Sequence, residues 1–178
     1  MKRTEAVVYS NDGDFLLQAF ERELLTLLPR LRRFARALAR DAGDADDLLQ
    51  AALERALKAR SQWQAGTRLD AWMMRIVRNC WIDETRSRGR RARTFADEAA
   101  GEGVCGDAHL DVERRAGMRD VGRAMDALSA DQREVVALVL VEGMAYREAA
   151  DILDIPMGTL TSRLTRARQA LMRQLESA

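Results

Sequence analysis

Tyr146-Arg147-Glu148-Ala149-Ala150-Asp151-Ile152-Leu153-Asp154-Ile155-Pro156-Met157-Gly158-Thr159-Leu160-Thr161-Ser162-Arg163-Leu164-Thr165-Arg166-Ala167-Arg168 decides how this chain folds. Its first eight residues read as a short helix in which Ala149 and Ala150 are small enough for close packing. Asp154-Ile155 makes a turn, and Pro156 suits the first turn of a second helix, where a missing N–H costs nothing. Leu160, Leu164, Ala167, Leu171 and Leu175 recur as that helix's buried stripe, which leaves Thr159, Ser162, Arg163 and Arg166 on other faces. Two helices joined by a tight turn, the second displaying hydroxyl and guanidinium groups, suit docking in a DNA major groove. A three-helix bundle with a solvated basic face fits the same pattern.

Upstream of this stretch, Ser129 with Gln132 three positions later is a capping box opening a helix, and Gly143 suits the residue just past its end. Alone, the run Val135 to Val141 could be a strand, but its capped flanks and lack of a partner strand favour helix. Further upstream the composition changes. Asp97 to Glu113 holds six acids, three Gly and no Lys or Arg, and reads as a flexible acidic linker. Arg86, Arg88, Arg90, Arg91 and Arg93 precede it without an acid between Thr85 and Phe95, and Pro156 to Arg173 carries four Arg without an acid.

The N-terminal part is helical as well. Leu24, Leu28, Leu31, Ala35 and Leu38 lie on one helix face, with Pro29 inside the stripe predicting a break or kink near Leu28. Asp44, Asp46 and Asp47 suit the positive N-terminal end of a second helix, whose buried stripe is Leu48, Leu49, Ala52, Leu53, Ala56 and Leu57. After Gly66-Thr67 a third helix buries Leu69, Trp72, Met73, Ile76, Val77, Cys80 and Trp81, a core reading for both Trp residues; Trp63 is unassigned. Arg75, Asn79, Asp83 and Arg86 fall on its polar face. The chain is therefore expected to be all-α: two small helical domains joined by a flexible acidic linker, the C-terminal one a helix-turn-helix. The divisions are a tail at 1–14, a first domain at 15–93, the linker at 94–113 and a second domain at 114–178.

Composition supports this class. Within 178 residues, 47% hydrophobic content can build helical cores, whereas two Pro and 5% aromatics leave little from which to make strands. No apolar run approaches the roughly 18 residues needed to cross a bilayer, and Met1-Lys2-Arg3 is not followed by an apolar signal core, so a cytoplasmic protein without membrane insertion is expected. Cys80 and Cys105 lack partners at metal-ligand spacing and read as ordinary thiols, and His109 as a linker residue. With no phosphate loop, nucleophile elbow or metal cluster, no catalytic residue, metal or cofactor is expected, and the protein is not read as an enzyme. A net charge of +1 is too small for a general nucleic-acid magnet, so the segregation of charge matters more than its sum.

Beyond these patterns, Glu142 to Arg168 resembles the C-terminal helix-turn-helix of extracytoplasmic-function sigma factors, the small promoter-specificity subunits of bacterial RNA polymerase. Asp44-Ala45-Asp46-Asp47-Leu48-Leu49-Gln50 is similar to that family's core-polymerase-binding helix. Ala71-Trp72-Met73-Met74-Arg75-Ile76-Val77-Arg78-Asn79-Cys80-Trp81-Ile82-Asp83-Glu84-Thr85-Arg86 is similar to its −10-recognition helix. All three occur in the family's order and cover about Phe15 to Leu175. Leu28-Pro29-Arg30-Leu31-Arg32-Arg33-Phe34-Ala35 and Ala130-Asp131-Gln132-Arg133-Glu134 look most like the alphaproteobacterial general-stress subgroup.

The resemblance implies a protein that binds core RNA polymerase, recognises −10 and −35 promoter DNA, and is held by an anti-sigma factor. Asp47, Gln50 and Glu54, spaced by three and four, would present one acidic face to the polymerase clamp helices. Ala51 departs from the family, which usually has an acid there. For the −10 element the expected residues are Asn79 and Asp83, with Arg75, Arg78 and Arg86 following the backbone and Arg86 to Arg93 approaching phosphates. For the −35 element they are Thr159, Ser162, Arg163 and Arg166, with Arg168 on phosphate. The linker suits either a positive channel of polymerase or a solvated tether. A sigma mimic that binds only an anti-sigma protein would need helix packing but not Asn79, Arg163 and Arg166, and a stand-alone helix-turn-helix regulator would not need the polymerase-binding helix.

Overall fold

The structure, a computed structural model, describes residues 11–39, 41–64, 66–94 and 121–176. The expected acidic linker between 97 and 113, with Cys105 and His109, lies outside the described residues. Helix α1 spans Asn11–Leu38, α2 Ala42–Lys58 and α3 Leu69–Thr94, with a single 3₁₀ turn at Arg60–Gln62 between the last two. In the C-terminal half a short helix α4 covers 121–126, followed by α5 at Ala130–Val136, α6 at Tyr146–Leu153 and α7 at Met157–Glu176. No strand occurs among the described residues.

Leu24, Leu31, Phe34, Ala35 and Leu38 of α1 are buried against Leu48, Leu49, Ala52 and Ala56 of α2 and Leu69, Met73, Val77 and Cys80 of α3. Of the break or kink expected near Leu28, a break does not occur: α1 runs through Pro29. Proline deprives the Leu25 carbonyl of its helical partner, and because Pro29 and Leu25 are both exposed, that carbonyl lies where water can serve it. The N-cap of α2 also lies earlier than the acid cluster suggested. Asp41 accepts the Asp44 N–H at 2.7 Å, which places Asp44 in the first turn, where the helix dipole favours a carboxylate. Two stripe ends are exposed against expectation, Leu57 at 41% and Leu175 at 49%, both in the last turn of their helix. Trp63 packs into the core, its ring 5.5 Å from that of Phe20, which also meets Trp72 edge-on at 6.2 Å.

The capping box at Ser129 is formed in both directions, with Gln132 N–H to Ser129 Oγ at 3.4 Å and Ser129 N–H to Gln132 Oε1 at 3.1 Å. Helix α5 widens into a π-helical turn at Ala137–Val141, where the Glu142 N–H reaches back to the Ala137 carbonyl at 3.0 Å. Gly143, at φ +66°, then turns the chain so that the Met144 N–H meets the Leu138 carbonyl at 3.0 Å. The turn between α6 and α7 uses Asp154 in the left-handed region (φ 54°, ψ 49°), with the Ile155 N–H bonded to the Ala150 carbonyl at 3.1 Å. Pro156 lies just before α7, and its carbonyl accepts the Leu160 N–H at 3.1 Å, so it caps the helix one residue earlier than read from sequence.

The two halves do not stand apart. One apolar cluster runs from α1, α2 and α3 into Val135, Leu138, Ala149, Leu153 and Leu160 of the C-terminal half. Met74, outside the sequence-derived stripe of α3, is fully buried one turn before Arg78, on the side that meets α5 and α6.

Candidate nucleic-acid interface

Asp47, Gln50 and Glu54 are all exposed along α2, and Gln50 Nε2 donates to Glu54 Oε1 at 3.2 Å. Ala51 is exposed beside them. A cleft of about 720 Å³ opens between this helix, the second half of α3 and the α4–α5 junction, lined by Asp44, Asp47, Arg55, Trp81, Asp83 and Leu128 among others. It brings Asp47 and Asp83, expected to serve different partners, onto one surface. Asp83 pairs across it with Arg55 at 3.1 Å. Near its rim Arg88 bridges Glu84 at 2.9 Å and also pairs with Asp44, holding the Asp44 carboxyl below the usual carboxylate range. Arg88 thus ties α3 to α2 through surface ion pairs.

The expected −10 residues separate into two groups. Asn79, Asp83 and Arg86 are exposed. Arg75, exposed as well, and Arg78, half-buried, also engage the C-terminal half: Arg75 Nη2 donates to the Asp151 carbonyl at 2.8 Å, and Arg78 Nε donates to Glu134 Oε1 at 3.1 Å. The Glu134 side chain is 5% exposed, and burial pushes its carboxyl pKa up while Arg78 opposes the shift.

This contact is one part of a network that sequence reading missed. Glu142, with a side chain fully removed from solvent, receives Arg30 Nε at 3.0 Å and both Nε and Nη2 of Arg33 at 2.8 and 3.0 Å. Arg30 also reaches Asp70 at 3.0 Å, and Arg68 joins Asp70 (2.7 Å) to Glu148 of α6. The Arg68 guanidinium lowers the Asp70 carboxyl below its ordinary range, aided by the Ala71 N–H and Arg30. Arg133, 4% exposed, donates to the last carbonyl of α1, that of Leu38, at 3.2 Å. The available signal was Glu134 and Glu142 flanking an apolar run, since a charge at the edge of a core segment is kept only with a partner.

On α7, Ser162, Arg166 and Arg168 are exposed, and Thr159 and Arg163 are half-buried. Arg166 folds back on Ser162, with Nη2 to Oγ at 2.8 Å, and Arg163 Nη2 pairs with Asp131 of α5 at 2.7 Å. Leu160, Leu164 and Ala167 are buried behind them, so α7 offers one polar, hydroxyl-rich and basic face. Glu148 reaches back to the Ala145 N–H at 3.3 Å at the start of α6, helping to fix the first helix of the pair. No helix among the described residues is long and apolar enough to cross a membrane.

Known proteins share this arrangement. The Sigma-70 region 2 family profile matches residues 24–91, and that of Sigma-70 region 4 matches residues 118–171. The ECF RNA polymerase sigma factor EcfG of Rhodopseudomonas palustris is 36% identical over 160 residues, covering 88% of this chain and 84% of its own. The ECF sigma factor SigC of Mycobacterium tuberculosis is 33% identical over 136 residues, covering 76% and 72%. Among solved structures, the sigma factor RpoE in complex with the anti-sigma factor NepR from Bartonella quintana superposes with a TM-score of 0.78 at 32% identity, covering 89% of this chain and 98% of that one. The fold is also that of CnrH in complex with the cytosolic domain of CnrY (TM-score 0.67, 23% identity, 90% of each chain). The chain belongs to the extracytoplasmic-function family of RNA polymerase sigma factors.

Proposed function

We propose that this sigma factor grips core RNA polymerase through Asp47, Gln50 and Glu54, reads the −10 element with Asn79 and Asp83 supported by Arg75, Arg78 and Arg86, and reads the −35 element with Thr159, Ser162, Arg163, Arg166 and Arg168. The working units are the divisions at 15–93 and 114–178, joined by the acidic segment at 94–113. The observation that carries this reading is that three polar helix faces, the first two meeting at the cleft that holds Asp47 and Asp83, are backed by one apolar core. They are the acidic face of α2, the Asn79–Arg86 face of α3 and the basic face of α7. A carboxylate-rich helix suits a basic protein surface, and an amide beside guanidinium groups suits an unstacked base and its phosphates. The protein acts in the cytoplasm as a non-enzymatic subunit that lends polymerase its promoter choice.

An anti-sigma partner is part of the proposal, supported by the likeness to RpoE, whose structure is of a complex with the anti-sigma factor NepR. The test is reconstitution with core polymerase and supercoiled promoter DNA, read by run-off transcription. Promoter-dependent transcripts that vanish with Asp47→Lys support the assignment, whereas failure to bind core polymerase overturns it.

A further inference from the structure

The exposed face of α7 carries two threonines outside the set assigned to the −35 element, Thr161 and Thr165. Leu160, Leu164 and Ala167 are buried behind them, so both lie on the displayed side of the helix with Ser162 and Arg166. Their hydroxyls are turned back on the helix. Thr161 Oγ1 donates to the Met157 carbonyl at 2.6 Å, with the Gly158 carbonyl as a second acceptor at 3.3 Å, and Thr165 Oγ1 donates to the Thr161 carbonyl at 2.9 Å. A hydroxyl has one proton to give, and each is committed to the backbone, which leaves the γ-methyl as the group offered outward. Ser162 is the reverse case: its Oγ accepts Arg166 Nη2 at 2.8 Å and keeps its proton for an outside acceptor.

Folding gains little from this arrangement. β-Branched residues are weak helix formers, and both threonines are exposed. One turn before Thr161, the exposed Gly158 has no positive φ to favour glycine, and a Cβ there would meet nothing within 4 Å. The missing side chain leaves the approach to the Thr161 methyl open. In the major groove thymine differs from every other base by its C5 methyl, and a threonine methyl is among the apolar groups that meet it. Resting on the assignment of α7 to the −35 element, we infer that Thr161 and Thr165 are specificity-determining residues that read thymine C5 methyls through their own γ-methyl groups. One turn separates them by about 6 Å of rise, more than the ~3.4 Å of one base step, so they address different base pairs.

The full chain with core polymerase is used to select a pool of random-sequence duplexes. Each thymine of the enriched upstream box is then replaced singly by uracil, which removes only the C5 methyl, and competition binding gives the penalty. Wild type should lose about fourfold at a thymine met by Thr161 or Thr165, the value for one buried methylene-sized group. Thr161→Val and Thr165→Val keep the methyl and should keep that penalty. Thr161→Ser and Thr165→Ser keep the hydroxyl and should each abolish it at one thymine. Both positions are exposed, so none of the four variants disturbs the core. A serine variant that retains every uracil penalty overturns the role of that threonine, and a valine variant that loses its penalty places the effect on the hydroxyl and does the same. Wild type indifferent to uracil, or an enriched box without thymine, overturns the methyl reading for both. Enrichment of no upstream box is a separate result: it removes the −35 assignment itself, and the inference with it.

Discussion

Arg163 of the recognition helix is held by Asp131 of α5, Nη2 to Oδ2 at 2.7 Å, so one of the side chains assigned to −35 bases is positioned by a carboxylate from outside the helix-turn-helix. The Asp131 side chain is 61% exposed, and a pair so open to solvent contributes less than about 1 kcal/mol to folding. Asp131→Asn should therefore leave the melting temperature nearly unchanged while loosening the aim of Arg163. Arg163→Ala should cost about 1 to 3 kcal/mol at the matched base pair and flatten discrimination there, while Arg168→Ala should weaken all sequences alike. Binding of polymerase holoenzyme to a panel of −35 variants distinguishes the two. Equal losses across the panel for Arg163→Ala would place that residue on phosphate.

The acidic face of α2 carries a gap at Ala51, exposed between Gln50 and the turn bearing Glu54. Ala51→Glu should tighten core-polymerase binding several-fold, chiefly through faster association, with no change in helix packing because the side chain enters solvent. Asp47→Lys should weaken binding at least about tenfold, equivalent to ~1.4 kcal/mol. Surface plasmon resonance at two ionic strengths reads both. A salt-independent effect would show that packing, not charge, carries the contact.

Most of the fold was legible because each helix carries its own signals. Ser129 and Gln132 formed the capping box that their spacing announced, and Leu160, Leu164 and Ala167 were buried as their period required. Pro29 does not end α1, because the apolar stripe continues on both sides of it, from Leu24 to Leu38, and the burial of that stripe outweighs the one backbone hydrogen bond the proline removes. The polar faces of α2 and α7 could be read for the same reason as the stripes: what does not pack is displayed. The contacts of Arg75 and Arg78 with the C-terminal half could not. Periodicity placed Arg75 on a polar face, but the partners of both residues come from positions 134 and 151, beyond the reach of any helical repeat. Met74 shows the same limit, being apolar off the stripe and buried where the second half docks.

The turn between α6 and α7 holds a non-glycine residue in the left-handed region. Asp154 sits at φ 54°, a conformation that costs an L residue about 1 to 2 kcal/mol and glycine nothing. Glycine also loosens the unfolded chain, by about 0.4 to 1 kcal/mol, which offsets part of the gain. Asp154→Gly should thus be neutral or stabilising by less than about 1 kcal/mol, whereas Asp154→Val should destabilise. Urea unfolding provides the comparison; a clear loss of stability in the glycine variant would mean that the aspartate side chain, not the backbone, sets the turn.

Acid stability should turn on Asp70, which the Arg68 guanidinium, the Ala71 N–H and Arg30 together hold below its ordinary value of 3.8. A carboxylate whose folded pKa is lowered adds stability that is present above its unfolded value and disappears as pH falls through the folded one. Asp44, lowered by Arg88, acts in the same window. Glu134 has the opposite sign: burial raises its pKa above 4.5, so its favourable contribution exists below that value and is lost as pH rises through the folded pKa. Asp70→Asn should cost about 2 kcal/mol at neutral pH, as expected for losing charge-assisted hydrogen bonds, and should flatten the melting curve below about pH 4. Glu134→Gln should flatten it on the neutral side instead, because its amide does not titrate. Circular-dichroism melts from pH 3 to pH 8 resolve the two effects. Parallel curves for wild type and Asp70→Asn below pH 4 would show that the Arg68–Asp70–Arg30 cluster is not what acid dismantles first.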